Sequence, residues 1–472
     1  MDVRNSWTMS RRAALRSLGC GFGYLALAGL SQSRAGSPLA GRPSHHTPKA
    51  KRVVFLFMQG GPSHVDSFDH KPRLFKDDGK MIEFDDARTL AKTRKIVTHR
   101  VMKPMWPFRH YGQTGRHVSD LFPQIAQHVD DLCFLHGMHT EGIAHGPATL
   151  FLHTGSINLI RPSVGSWITY GLGAENQNLP GFVTISPSMG NGGPRNWGNA
   201  FLPTVHQGTA LGRAGLPSTE AKIRNLTSSA SVVEQERQLD LLRAINSEQL
   251  GRSPGESELE AVIDSYELAA RMQRFAPETL DVNRESKETQ ALYGLGDKST
   301  ENFGRQCLLA RRLLEAGVRY VQVNYGDNTA NPAWDQHSNL PKHADHALAV
   351  DRPVSALLTD LKRRGLLDDT LVWFGGEFGR TPYAEKNGTG RDHNPDGFTM
   401  WLAGGGVKPG IAYGATDEFG HHAVQGKVHM HDMHATILHQ LGLDHEKLTF
   451  RYAGRDFRLT DVAGRVVTEI LS

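Results

Sequence analysis

Cysteine is almost missing from this chain, with three in 472 residues. Cys20 lies in an N-terminal apolar run, so only Cys133 and Cys307 belong to the body of the protein. Two isolated thiols in apolar or helical surroundings behave as small hydrophobes, which excludes a disulfide framework and a cysteine-based zinc site. Membrane-length apolar segments are lacking too: the run Cys20–Leu30 is too short to span a bilayer comfortably. An excess of one charge is also lacking. The formal net charge is +4, but residues 1–35 hold Arg4, Arg11, Arg12, Arg16 and Arg34 against Asp2 alone. Without them, the 53 basic and 49 acidic residues become 48 and 48. A near-neutral body offers nucleic acid no electrostatic footprint.

What remains is an ordinary globular composition, 39% hydrophobic and 22% charged. The length allows one large α/β domain with insertions, or two domains. Ser10-Arg11-Arg12-Ala13-Ala14-Leu15-Arg16, then a weakly apolar run and the small residues Ser33 and Ala35, reads as a twin-arginine export signal cut after Ala35. Residues 1–35 are therefore expected to be a signal, 36–50 a flexible linker and 51–472 the folded domain. The product would be periplasmic or exported, with no integral membrane segment once the signal is removed.

The folded part opens with a buried strand, Val53–Met58, bounded by a basic pair and a Gly-Gly-Pro turn. A helix is expected over Ser119–Asp130, strands at Leu132–Leu135 and Phe182–Ile185, and helices at Pro147–His153 and Ser163–Gly173. Residues 219–275 are charge-rich and helical in pattern, and read as a helical insertion or lid packed against the sheet. The rhythm then resumes with helix Gly304–Glu315, strand Val318–Val323, helix Lys342–Arg364, strands Thr370–Phe374 and Phe398–Leu402, and helix His431–Leu441. Alternating strands and helices imply a largely parallel sheet covered on both faces, with ligands beyond the carboxyl ends of the strands.

Polar, metal-type ligands cluster at those ends. Gln59-Gly60-Gly61-Pro62-Ser63-His64-Val65-Asp66 leaves the first strand. Its His64 and Asp66 could converge on an ion, or Ser63 and Asp66 could simply hold a turn. His145 precedes Pro147 at a helix start, where an anion could rest on free amides or the ring could cap the helix. Asp335 and His337 follow another strand. Glu377, among glycines after an apolar run, needs a cation or a donor if buried. Arg380 could supply that ion pair or clamp a substrate anion. Asp392-His393 could be a ligand imidazole oriented by its carboxylate. His421-His422, His429 and His431 read mostly as surface or cap residues, with Asp432 and His434 as lesser candidates.

Together these segments resemble an exported, sulfatase-like family of unknown function, DUF1501, within the alkaline-phosphatase superfamily. The likeness rests on Gly60–Pro72, Gly375–Pro382, Gly390–Pro395 and Thr449–Asp456, and spans about residues 50–465. It implies a three-layer α/β/α sandwich of alkaline-phosphatase/sulfatase-like type with a helical insertion. It also implies a divalent metal (Zn or Ca, with Mn as a further choice) and a hydrolase of a sulfate or phosphate ester. Asp335, His337, Glu377 and His393 would hold the metal, and His64 and Asp66 would complete the site. Counting back from Gly155, His145 stands where sulfatases carry a Cys or Ser nucleophile. That leaves attack by a water activated at the metal, or His145 as base or nucleophile, with Arg380 on the anion. Gln59 replaces the superfamily's first-strand Asp. The lost nucleophile equally suits a binding protein that keeps the scaffold without turnover. The expected partner is a small anionic ester or a sulfated glycan.

Overall fold

The apolar run after the basic pair forms strand β1, Arg52–Met58. Its side chains alternate between two cores: Val54, Leu56 and Met58 enter one, Val53, Phe55 and Phe57 the other. A strand covered on both faces needs no polar alternation, which is why it reads as an unbroken apolar run. The structure is a computed structural model that describes residues 39–85, 96–221, 231–252, 257–329, 331–385 and 388–472. The expected export signal, 1–35, lies outside the described residues.

The remaining strands of the main sheet are β2 (Leu132–His139), β3 (Phe182–Ile185), β4 (Thr209–Leu211), β5 (Tyr320–Tyr325), β6 (Thr370–Gly375), β7 (Phe398–Ala403), β8 (Ile411–Tyr413) and β9 (Val428–His429). Their order is β8-β2-β7-β6-β1-β5-β3-β4, with β9 beside β2. The register sets Val53 against Tyr320 on one side and Leu371 on the other. The sheet is mixed: β7 runs antiparallel to both β6 and β2, and the other pairings are parallel. No helix separates β6 from β7 among the described residues. A strand that returns through a loop must pair antiparallel, whereas a parallel neighbour needs a crossover.

The described residues include seven longer helices: α1 (His145–Thr154), α2 (Val164–Leu172), α3 (Val232–Arg252), α4 (Ser257–Leu280), α5 (Glu301–Glu315), α6 (His343–Arg363) and α7 (Met430–Gln440). Phe151, Trp167 and Ile437 place α1, α2 and α7 in the core with Phe55. Leu309 and Leu357 place α5 and α6 in the opposite core, which Leu268 and Met272 of α4 also enter. The result is the expected three-layer α/β arrangement. Cys133 and Cys307 are free and fully buried, and no helix of the described residues is long and apolar enough to cross a membrane.

Two local expectations differ. Ser119–Asp130 is not an α-helix: a strand ends at Ser119, and only Ile125–His128 makes a 3-10 turn. The amides of Gln124 and Ile125 donate to Asp351 on α6 instead of opening a longer helix. Residues 39–50 are not a loose linker. Ala174 N–H donates to the Leu39 carbonyl, and the Lys49 and Ala50 amides donate to Gln440 at the end of α7.

Candidate metal centre

Gly60, His145, Asp335 and Glu377 meet because strands β1, β2, β5 and β6 all point their carboxyl ends the same way. Gly60 has φ +108°, and a Cβ there would lie 2.7 Å from the Asp335 nitrogen. Only glycine lets the first turn pass this close to the Asp335 turn. The Gly60 amide donates to both Glu377 oxygens, at 3.0 and 3.1 Å. His393 reaches the centre from a two-residue strand, His393–Asn394, paired antiparallel with Gly379–Arg380. His337 passes beside Gly390, where a Cβ would fall 2.2 Å from the His337 carbonyl carbon.

Three imidazoles share one arrangement. Each Nδ1 faces an acceptor: His145 meets Glu377 Oε1 at 2.7 Å, His337 meets Glu385 Oε2 at 2.8 Å, and His393 meets the Ile143 carbonyl at 3.0 Å. An Nδ1–H committed in this way leaves the Nε2 lone pair of the neutral ring free. All three Nε2 atoms converge on Asp335. His145 is 3.1 Å from Oδ2, and His337 and His393 are 3.0 and 3.3 Å from Oδ1. The Nε2 atoms of His337 and His393 lie only 3.0 Å apart. Imidazole lone pairs brought together around a carboxylate need a proton or a cation between them. Two sets fall within ligating distance of one another, His145-Asp335-His393 and His337-Asp392-His393. The donor chemistry, imidazole nitrogen with carboxylate oxygen and acceptors behind the rings, fits a divalent metal.

Where a proton and not a cation is shared, the carboxylates hold it on two of the three rings. Burial opposes charge on His145, but its bonds to Asp335 and Glu377 outweigh it and raise its pKa. Burial also opposes charge on His337, yet Asp335 and Glu385 raise it to about 9. His393 goes the other way, to about 4, because burial dominates its bond to Asp335. Asp335 is held far below the usual carboxylate range: burial works against ionisation, but three imidazoles and Arg380 win.

Several sequence expectations change here. Arg380 is fully buried, and it does not pair with Glu377 or face outward for an anion. Its Nη2 donates to Asp335 Oδ1 at 2.8 Å and to the Gly60 carbonyl; its Nε and Nη1 donate to the Gly61 and Arg391 carbonyls at 2.9 and 3.2 Å. With those donors committed to the protein, Arg380 positions Asp335. His64 and Asp66 do not join the cluster. His64 Nε2 lies 2.7 Å from the Gly420 carbonyl, and its Nδ1 faces the Arg380 amide at 3.5 Å, so both ring nitrogens face structural partners. Asp66 forms a fully buried ion pair with Arg391 at 2.7 Å and also accepts from Ser63 Oγ and the Met105 amide. That is the self-contained turn left open above, enlarged by a distant arginine.

Gln59 is buried, and its main chain ties the Tyr325 carbonyl to the Trp334 amide. Asp392 Oδ1 accepts the His393 amide at 2.7 Å and lies 3.6 Å from His337 Nδ1, so it supports the cluster from its edge. Asp432 and His434 serve the fold. Asp432 accepts the His429 amide at the start of α7 and the Arg465 amide. His434, fully buried, meets the Leu152 carbonyl on α1. Sequence reasoning missed Glu385, the acceptor behind His337. A carboxylate in the loop between Arg380 and Arg391 was its only signal.

The family described as a protein of unknown function, DUF1501, matches residues 50–471. No curated protein matches the chain. Among solved structures, the lipoteichoic acid synthase LtaP from Listeria monocytogenes is 8% identical with a TM-score of 0.35, covering 92% of this chain and 80% of its own. An alkaline-phosphatase-superfamily protein from Vibrio parahaemolyticus is 10% identical with a TM-score of 0.37, covering 92% and 74%. A sulfatase from Pseudoalteromonas sp. is 12% identical with a TM-score of 0.35, covering 90% and 72%. Likenesses this distant carry nothing about activity.

Proposed function

The chain belongs to the DUF1501 family, and we propose that it is an exported, metal-dependent hydrolase of a sulfate or phosphate ester. The observation that supports this most is the convergence of three imidazole Nε2 atoms on Asp335. Asp335, His337 and His393 would hold the ion, with Asp392 at the edge. Nitrogen-rich donors favour Zn²⁺ over Ca²⁺ and Mn²⁺, which prefer oxygen ligands. A bound divalent ion supplies Lewis-acid polarisation and neutralises negative charge on the ester.

The remaining roles belong to the chain's own groups. His145 starts α1, and the Gly146 amide stands at that helix's positive end. An anionic ester is favoured there over a neutral one. Glu377 bonds His145 Nδ1 and so stabilises its charged form, which suits His145 Nε2 to take a proton as a general base. Arg380 fixes Asp335 from behind. In Glu377→Gln the ring keeps a partner but loses the charge behind it. Turnover of aryl sulfates or aryl phosphates is expected to fall roughly 10²–10⁴-fold, the usual contribution of general acid–base catalysis. A wild-type protein that turns over neither ester class but binds a sulfated polysaccharide would replace this reading with the non-catalytic one.

Export is part of the same proposal. It is supported by Arg11-Arg12 ahead of a weakly apolar run and Ala35. With Arg11→Lys and Arg12→Lys together, cell fractionation should find the unprocessed protein in the cytoplasm. Continued secretion of the processed form would exclude the twin-arginine route.

A further inference from the structure

A second cluster of ligand-type side chains lies outside this centre, on the loop between β8 and β9. There Asp417 folds the chain back on itself. Its Oδ1 accepts the Phe419 and His421 amides at 3.0 and 2.9 Å, and its Oδ2 accepts the His422 amide at 3.0 Å. Adjacent residues in an extended chain point apart, but this turn brings both imidazoles to one carboxylate. His422 Nε2 is 2.6 Å from Asp85 Oδ1, and His421 Nδ1 is 3.8 Å from the same atom. The His421 ring is buried and set edge-on to Phe84 at 5.3 Å and to Tyr383 at 5.9 Å. Its direction is therefore imposed by packing. The Asp85 side chain, by contrast, is 55% exposed and the His422 side chain 33% exposed.

We propose that Asp85, His421 and His422 form a second site for a divalent transition-metal ion, independent of the Asp335 centre. One ligating atom from each residue lies within 4.8 Å of the others, a spacing that a single ion can span. Two imidazole nitrogens and one carboxylate oxygen select Zn²⁺, Ni²⁺ or Co²⁺ over Mg²⁺ or Ca²⁺. Three protein ligands at an exposed edge leave the rest of the coordination sphere to water. A plain surface His–Asp pair would need neither the second imidazole nor the threefold amide brace at Asp417.

The place of the site gives the ion a task. Asp85 follows the strand Met81–Phe84 directly. The Gly420 carbonyl faces His64 Nε2 at 2.7 Å and accepts from Asn394 Nδ2 at 3.2 Å, while the His421 carbonyl accepts from Asn394 Nδ2 at 2.9 Å. Asn394 is the neighbour of His393. An ion at His421 and His422 therefore fastens the loop that supports the His393 strand to a separate hairpin. It is a structural tie, and it stands whether or not the Asp335 centre turns over an ester.

Metal stoichiometry tests it. Full-length protein stripped with chelator is titrated with Zn²⁺ by calorimetry, and bound metal is counted after desalting. Wild type is expected to bind two equivalents, and Asp335→Asn to keep the one that belongs to this loop. His422→Ala and Asp85→Asn change a partly exposed and an exposed side chain and should fold normally; each is expected to keep only the equivalent that depends on Asp335. Zn²⁺ should raise the melting temperature of Asp335→Asn, and adding His422→Ala to that variant should remove the rise. The proposal is overturned if His422→Ala and Asp85→Asn bind as much Zn²⁺ as wild type, or if Asp335→Asn binds none. A wild type with a single equivalent lost only in Asp335→Asn would leave the first centre standing and remove the second.

Discussion

Replacing Asp335 by Asn is expected to empty the main centre and lower turnover more than about 10²-fold, beyond the 10–100-fold typical of losing a partner behind a metal ligand. One carboxylate here serves His145, His337, His393 and Arg380. The amide is the same size but has no charge, so the three Nε2 atoms lose the anion they surround. Fully buried Arg380 also loses the carboxylate it pairs with. Breaking a buried pair in this way costs about 3–5 kcal/mol, so circular dichroism must first establish that the variant is folded. Asp66→Asn is the matched comparison. It removes another buried carboxylate, paired with Arg391, that does not touch the cluster. Equal loss of metal in both variants would sink the assignment of Asp335 as the ligand and Asp66 as a structural ion.

Acid is expected to unfold the protein steeply below about pH 6, because histidines are buried neutral away from the centre. His206 is 1% exposed, with no hydrogen-bond partner for either ring nitrogen among the described residues, and burial lowers its pKa to about 3. Burial likewise lowers His434 to about 3, against an unfolded value of 6.5. The unfolded chain therefore takes up these protons first. The stability they secure is complete above pH 6.5 and drains as pH falls toward 3. Each group costs about 1.4 kcal/mol per pH unit in that window, so the pair removes roughly 5 kcal/mol over about two units. That rivals the whole stability of many domains, about 5–15 kcal/mol. His206→Leu has a similar volume and loses no hydrogen bond. It should leave stability at pH 7 unharmed and flatten the acid limb by about 1.4 kcal/mol per unit. An unchanged limb in urea unfolding between pH 4.5 and 6.5 would show that His206 does not drive it.

Most strands and helices were legible in the chain because each rests on local signals. Val53–Met58 is apolar throughout, Gly155 and Gly173 stand at helix ends, and Phe182–Ile185 is placed as expected. The segment 119–130 failed because the amides of Gln124 and Ile125 donate to Asp351, more than 200 residues away. The mixed sheet was hidden for a similar reason: strand direction follows the path of a connection, not the composition of the strand.

The site divided along the same line. Residue chemistry and position after apolar runs were enough to mark Asp335, His337, Glu377, His393 and His145 as one group, since charged and imidazole side chains leaving buried strands must collect at their ends. Which carboxylate lies at the centre was decided by folding. Asp66 and Asp335 look alike in the chain, but Arg391 neutralises the first from 325 residues away, while the second receives three imidazoles. Arg380 and Glu385 took their roles in the same way. Local pattern governs which backbone forms, because its hydrogen bonds and burial repeat over a few residues. The partner of a buried charge is chosen by whatever the completed sheet brings within 3 Å of it, and no short stretch of sequence contains that distance.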